Sequence, residues 1–191
     1  MGRILAIFGA FIIFIILLVV LLTHGSKPST PPVHVKTLPE YANSTAAVSM
    51  TTDGIVNGDE LHRQIRITVA QDRRVVEVVQ GYSGQVIDSH AFYNTEPAFD
   101  VFLRSINNAG FVVKSKKNKA PATELGQCAL GLRYIFTLND EGENVSRLWS
   151  SSCGASVGNW GGQLTTVQAL FKLQIPNYNA LTQNVNLEAS Q

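Results

Sequence analysis

Cysteine is nearly absent from this chain: two in 191 residues, Cys128 and Cys153, neither in a Cys-x-x-Cys pair nor beside a histidine. That scarcity excludes a cysteine-rich zinc module, and the four histidines (His24, His34, His62 and His90) show no ligand spacing, so neither metal nor cofactor is expected. Charge of one sign is equally lacking. Fifteen basic residues face fourteen acidic ones, so nothing in the balance asks for nucleic acid as a partner. No histidine follows His90, no arginine follows Arg147 and no acid precedes Glu40.

These gaps also dispose of catalytic motifs that match in letters only. Gly154-Ala155-Ser156-Val157-Gly158 spells a G-x-S-x-G nucleophile elbow, yet the elbow needs a histidine later in the chain, and there is none. His62 or His90, Asp100 and Ser156 stand in protease-like order, without the strand content such folds use. A sortase-like role for Cys153, with His90 as base, lacks the downstream arginine. A pilin-like subunit lacks an acid in its apolar segment, and Pro28 breaks the helix continuation. An envelope thiol or serine enzyme and a pilin-like subunit therefore stand as alternatives behind the reading reached below.

The longest feature present is Ile4 to Leu22, an apolar run with no charge and no proline, preceded by Arg3. As a helix it would extend roughly 28 Å, against roughly 30 Å for a bilayer core. Residues 1–23 are therefore expected to be an uncleaved transmembrane signal anchor. Arg3 and the α-amine place its N-terminus in the cytoplasm, and the remainder outside the cell membrane, by the positive-inside rule. The proline-bearing residues 24–44 read as a linker, 45–180 as one extracytoplasmic α+β domain, and 181–191 as a polar tail. Two cysteines outside the cytoplasm read as one disulfide.

Period-two alternation over Leu61–Ala70, with Ile65, Ile67 and Val69 on one face, predicts a strand; Val75–Val79 and Gln85–Phe92 predict two more. Short turns between them imply antiparallel pairing. Thr95-Glu96-Pro97 opens a helix whose Phe99, Phe102, Leu103 and Ile106 share a face, and Gly110 ends it. Leu132–Leu138 and Asn144–Ser150 predict a second hairpin around Asn139-Asp140-Glu141-Gly142, and Leu164–Ile175 a second helix that Pro176 terminates. The expected domain is an antiparallel sheet with two helices, a strand-strand-helix plan written twice.

Candidate contacts are few. Lys114, Lys116, Lys117 and Lys119 form the one concentrated basic segment, suited to an anionic polymer or an envelope protein, or simply to solvent. Trp149 and Trp160 flank Cys153 and either pack over a disulfide or form an exposed platform, Trp160 being the candidate contact. Asn43-Ser44-Thr45 and Asn144-Val145-Ser146 match the glycosylation acceptor pattern.

Three stretches resemble an uncharacterised family of small membrane-anchored bacterial proteins. They are Gly81-Tyr82-Ser83-Gly84-Gln85-Val86, then Phe102-Leu103 to Ala109-Gly110-Phe111, and Arg147–Gly154 running on to Gln174-Ile175-Pro176-Asn177-Tyr178, with Cys128–Tyr134 matching a Cys-x-x-Gly-x-Arg-Tyr segment. The resemblance implies bacterial origin and paired cysteines, and brings no activity with it. The sequence reading is thus a membrane-anchored extracytoplasmic binding module.

Overall fold

The structure is a computed structural model and describes residues 12–18, 36–116, 121–154 and 158–188. Its two compact units are residues 1–35 and 36–191. In the first, the described residues are a helical stretch over 12–18. Seven residues rise about 10 Å, one third of a bilayer core. Among the described residues no helix is long and apolar enough to cross a membrane. The expected transmembrane helix is corrected accordingly: hydropathy set its length at the whole of Ile4–Leu22, whereas the described helix is about one third of that, and the flanking residues lie outside those described.

The second unit is built on a six-stranded sheet in the order β4-β3-β2-β1-β5-β6, antiparallel throughout. The strands are β1 Ala47–Asp53, β2 Arg63–Ala70, β3 Arg73–Gln80, β4 Gln85–Tyr93, β5 Arg133–Asp140 and β6 Glu143–Ser151. Helix α1, Glu96–Asn108, follows β4; α2, Leu164–Leu173, and α3, Tyr178–Thr182, follow β6. A 3-10 turn at Leu38–Tyr41 precedes the sheet and packs on α1.

This overturns the plan written twice. Four strands run before α1 but only two between α1 and α2, and the first of them, β1, lies between β2 and β5 in space. There is therefore one sheet whose centre is its first strand, and no boundary between equivalent halves. The physical reason is that β1 joins both hairpins: Met50 pairs with Ile67 on one side and with Phe136 on the other.

Alternation decides which face is covered. Val48, Met50, Ile65, Ile67, Val69, Val76, Phe136, Leu138 and Leu148 point one way, and meet Phe99, Phe102, Leu103 and Ile106 of α1 with Val167 and Phe171 of α2. Phe171 stands edge-on to Phe102 at 5.1 Å and tilted to Phe111 at 5.7 Å. Each large apolar side chain buried here contributes about 1.5–3 kcal/mol. Because both helices cover that one face, the other is left to solvent except where a loop crosses it.

Local chemistry closes the turns. Thr95 caps α1, its hydroxyl accepting from Ala98 N at 3.4 Å. Glu141 (φ 51°) and Gly142 (φ 82°) form a two-residue hairpin turn with both φ positive, the geometry that matches strand twist. Tyr178 and Leu181, together with Val185 and Leu187 beyond α3, pack on the core, and Ile55 N donates to Leu187 O at 3.0 Å.

Candidate functional site: the open polar face of the sheet

The uncovered face presents the outward residues of five strands. Across the middle, Glu77, Arg66, Thr51 and Ile135 stand in one cross-strand row, with Thr68, Ser49, Thr137 and Arg147 in the next. Gln64 and Asp53 form a third row beyond them. With Glu124 these residues line a cleft of about 500 Å³, within the size range of small-ligand sites.

One wall of the cleft is a strap, residues 121–132, laid over the ends of β5 and β6. Several contacts fasten it, four of them along its length. Trp149 Nε1 donates to Pro121 O at 2.8 Å, Arg147 Nη2 reaches Glu124 Oε1 at 2.6 Å, Val56 N donates to Ala129 O at 2.8 Å, and Cys128 Sγ lies 1.96 Å from Cys153 Sγ, at disulfide distance. Gly131 sits against that sulfur pair: a Cβ there would stand 2.6 Å from Cys128 Sγ and 2.5 Å from Ser152 Oγ.

Behind the Asp53 end of the cleft lies a buried charged cluster. Arg133, 3% exposed, places Nη2 2.8 Å from Asp53 Oδ2 and also donates to Gly54 O. His62, fully buried, places Nε2 2.8 Å from Asp53 Oδ1, while its Nδ1 lies 3.0 Å from Ile55 O. A carbonyl only accepts, so the contact with Ile55 O places a proton on Nδ1. Tyr82 stacks on the imidazole at 4.2 Å, and its hydroxyl donates to Asn57 O. Burial pushes the Asp53 carboxyl above its ordinary value against the opposing pull of Arg133 and then His62.

Glu124 shifts the other way. Burial would raise it, but the Arg147 hydrogen bond, a backbone hydrogen bond and the charges of Arg147 and Arg133 together hold it below its ordinary value. A group whose pKa is lowered by folding stabilises the fold above its unfolded value, about 4.3, and that contribution disappears as pH falls through the lowered value. Asp53 acts with opposite sign, since its raised pKa favours the fold as protons are added. Acid titration of unfolding free energy is therefore expected to lose its Glu124 component below about pH 4.3. Glu124→Gln shows less acid destabilisation than wild type there, and identical slopes would contradict the assignment.

The basic segment and the tryptophans lie elsewhere. Lys114 and Lys116 are exposed beside one another, and Lys117 and Lys119 lie outside the described residues. Trp160 is 7% exposed, stacks on Phe136 at 4.2 Å, and donates Nε1 to Phe111 O at 2.9 Å. Its ring belongs to the core, and that of Trp149 is fully buried too. Neither forms a platform at the surface. Ser156 lies outside the described residues. Asp100 pairs with Arg104, and His90 with Asp88 at 3.3 Å.

The structure thus gathers a polar cleft that sequence reading missed, because its members come singly from separate strands. The usable signal was the outward half of each alternation, where Ser49, Thr51, Arg66, Thr68 and Thr137 repeat at period two. No family model, curated protein or solved structure matches this chain.

Proposed function

We propose that the chain is an extracytoplasmic binding module that recognises a polar partner of the cell envelope through the open face of its sheet. The observation that carries this reading is the cleft itself. A sheet half covered by helices leaves hydroxyls, an amide and paired charges displayed on a rigid floor, the arrangement that fixes a polar ligand by several directed hydrogen bonds. Glu124 Oε2 and Arg147 Nη1, one acceptor and one donor, lie at the strap wall with no hydrogen-bond partner among the described residues. Cysteines at disulfide distance favour an oxidising compartment.

A binding role is favoured over catalysis by the pairing of the titratable groups. His62 is committed to Asp53 and Ile55, and Arg66 to Glu77 at 2.8 Å, so the cleft offers a complementary surface and, among the described residues, no proton shuttle beside a nucleophile.

Retention of bacterial envelope extract on the immobilised full chain tests the reading. Thr68→Trp fills the cleft floor and is expected to reduce retention of whatever the wild type holds at least tenfold, while Lys114→Glu with Lys116→Glu leaves it unchanged. Loss only in the lysine variant would move recognition to the basic segment. Equal retention in all three would contradict the reading.

A further inference from the structure

The two edges of the sheet are finished differently. On β6, Trp160 N donates to Trp149 O, Asn159 Oδ1 accepts from Trp149 N, and Ser150 bridges Gly158, so the chain itself covers that edge. On β4 no described strand or loop pairs with the outer side. Seven of its nine residues are exposed, among them Val86, Ile87 and Tyr93, the last at 77%. Long open edges of this kind pair with further strands unless something blocks them.

We propose that β4 is the interface of a two-fold dimer in which two copies of this chain join edge to edge, antiparallel, into one continuous sheet. The occupant is argued from charge. In one sheet related by an axis normal to it, residues of equal parity face each other, which leaves three registers near the strand centre. Centring on Asp88 sets two carboxylates together. Centring on His90 sets two imidazoles together and Asp88 against Phe92. Centring on Ser89 places each Asp88 opposite the second copy's His90, so that the pair already 3.3 Å apart within one chain becomes a closed cluster of two carboxylates and two imidazoles. An imidazole directly across from a carboxylate can donate a hydrogen bond to it, whereas two carboxylates directly across from each other repel. The sequence of the edge is thus complementary to itself, as a closed two-fold contact requires.

A bulge lies beside this centre. The register between β3 and β4 shifts at Val78/Val79, with Val78 opposite Asp88 and Val79 opposite Val86, so Ile87 is the extra residue and 88–93 run regularly. The axis at Ser89 lies inside that regular stretch. The dimer also turns both polar clefts to the same side, which would let a polymeric partner engage two sites at once. The inference does not depend on the cleft reading.

Cysteine scanning of the full chain tests the register, the native cysteines being already at bonding distance. Ser89→Cys lies on the axis, where facing Cα atoms are about 4.5–5.5 Å apart, inside disulfide range. Ala91→Cys would face its own copy four residues away, about 13 Å. Oxidation with copper-phenanthroline is expected to cross-link Ser89→Cys at least tenfold more than Ala91→Cys. Asp88→Lys in the Ser89→Cys background lowers the yield at least tenfold, and adding His90→Asp restores it by exchanging the charges. Equal yields at 89 and 91, a Ser89→Cys chain that stays single, or no rescue by the charge exchange would each overturn the proposal, a single chain being the outcome expected of an edge reserved for a foreign strand.

Discussion

Arg133→Met is expected to lower the unfolding free energy by about 3–5 kcal/mol, the loss typical of a buried ion pair stripped of one partner. Arg133 comes from the first position of β5 and meets Asp53 directly across the ladder from β1. Methionine keeps much of the volume but leaves the Asp53 carboxylate in a site where burial already pushes its pKa up. The Gly54 carbonyl loses its donor as well. Urea unfolding measures the effect. Adding Asp53→Asn in the Arg133→Met background is expected to recover at least about 1 kcal/mol, because the uncompensated charge is gone and the two sites are coupled. A single-variant loss below about 1 kcal/mol would mean that the cluster is solvated and not buried.

Cross-linking through Cys128 and Cys153 has an expected contribution of about 3.5 kcal/mol, the chain-entropy value for a loop closed over a sequence separation of 25. The closed segment contains the strap's end, all of β5 and β6 and the turn between them, so the bond also fastens the wall of the cleft. Unfolding with and without reductant should separate by that amount, and the double change to alanine should behave as the reduced protein does. Gly131→Ala is expected to reproduce part of the loss without removing a sulfur, since its Cβ would press on Cys128 Sγ and Ser152 Oγ. Coincident curves with and without reductant would show the pair to be unbonded in solution.

Sequence periodicity locates the strands that carry large apolar residues on one face. Ile65, Ile67 and Val69 in β2 are all buried, and so are Phe99, Phe102, Leu103 and Ile106 in α1, because spacings of 2.0 and 3.6 report a covered face directly. β1 is inconspicuous for the same reason. Ala47-Val-Ser-Met-Thr-Thr-Asp carries only two large apolar side chains, yet it is the strand on which the whole sheet is assembled. Topology then undoes the repeated plan, since nothing local to Ala47–Asp53 says that it pairs with both β2 and β5.

Site residues were less legible than core residues. Asp53 is nine residues from His62 and eighty from Arg133, and a separation of that kind carries no spacing signal. Arg66, Glu77 and Arg147 each read as an ordinary solvated strand residue until the register sets them side by side. Trp160 misled in the opposite direction. Its place beside Cys153 made it a candidate surface contact as one of two readings, whereas Phe136 and the Phe111 carbonyl bind it into the core. His62 also departs from the usual surface histidine, because the 54–62 loop folds it under Tyr82.

Recognition by the open face is tested most directly by photo-crosslinking from the full chain in envelope extract. A benzophenone side chain replaces Asn139, exposed at the cleft rim, or Val101, exposed on α1 away from the sheet. The account predicts a discrete covalent adduct from position 139 and none from 101. An adduct from 101 alone would contradict it and move the binding surface to the helical side.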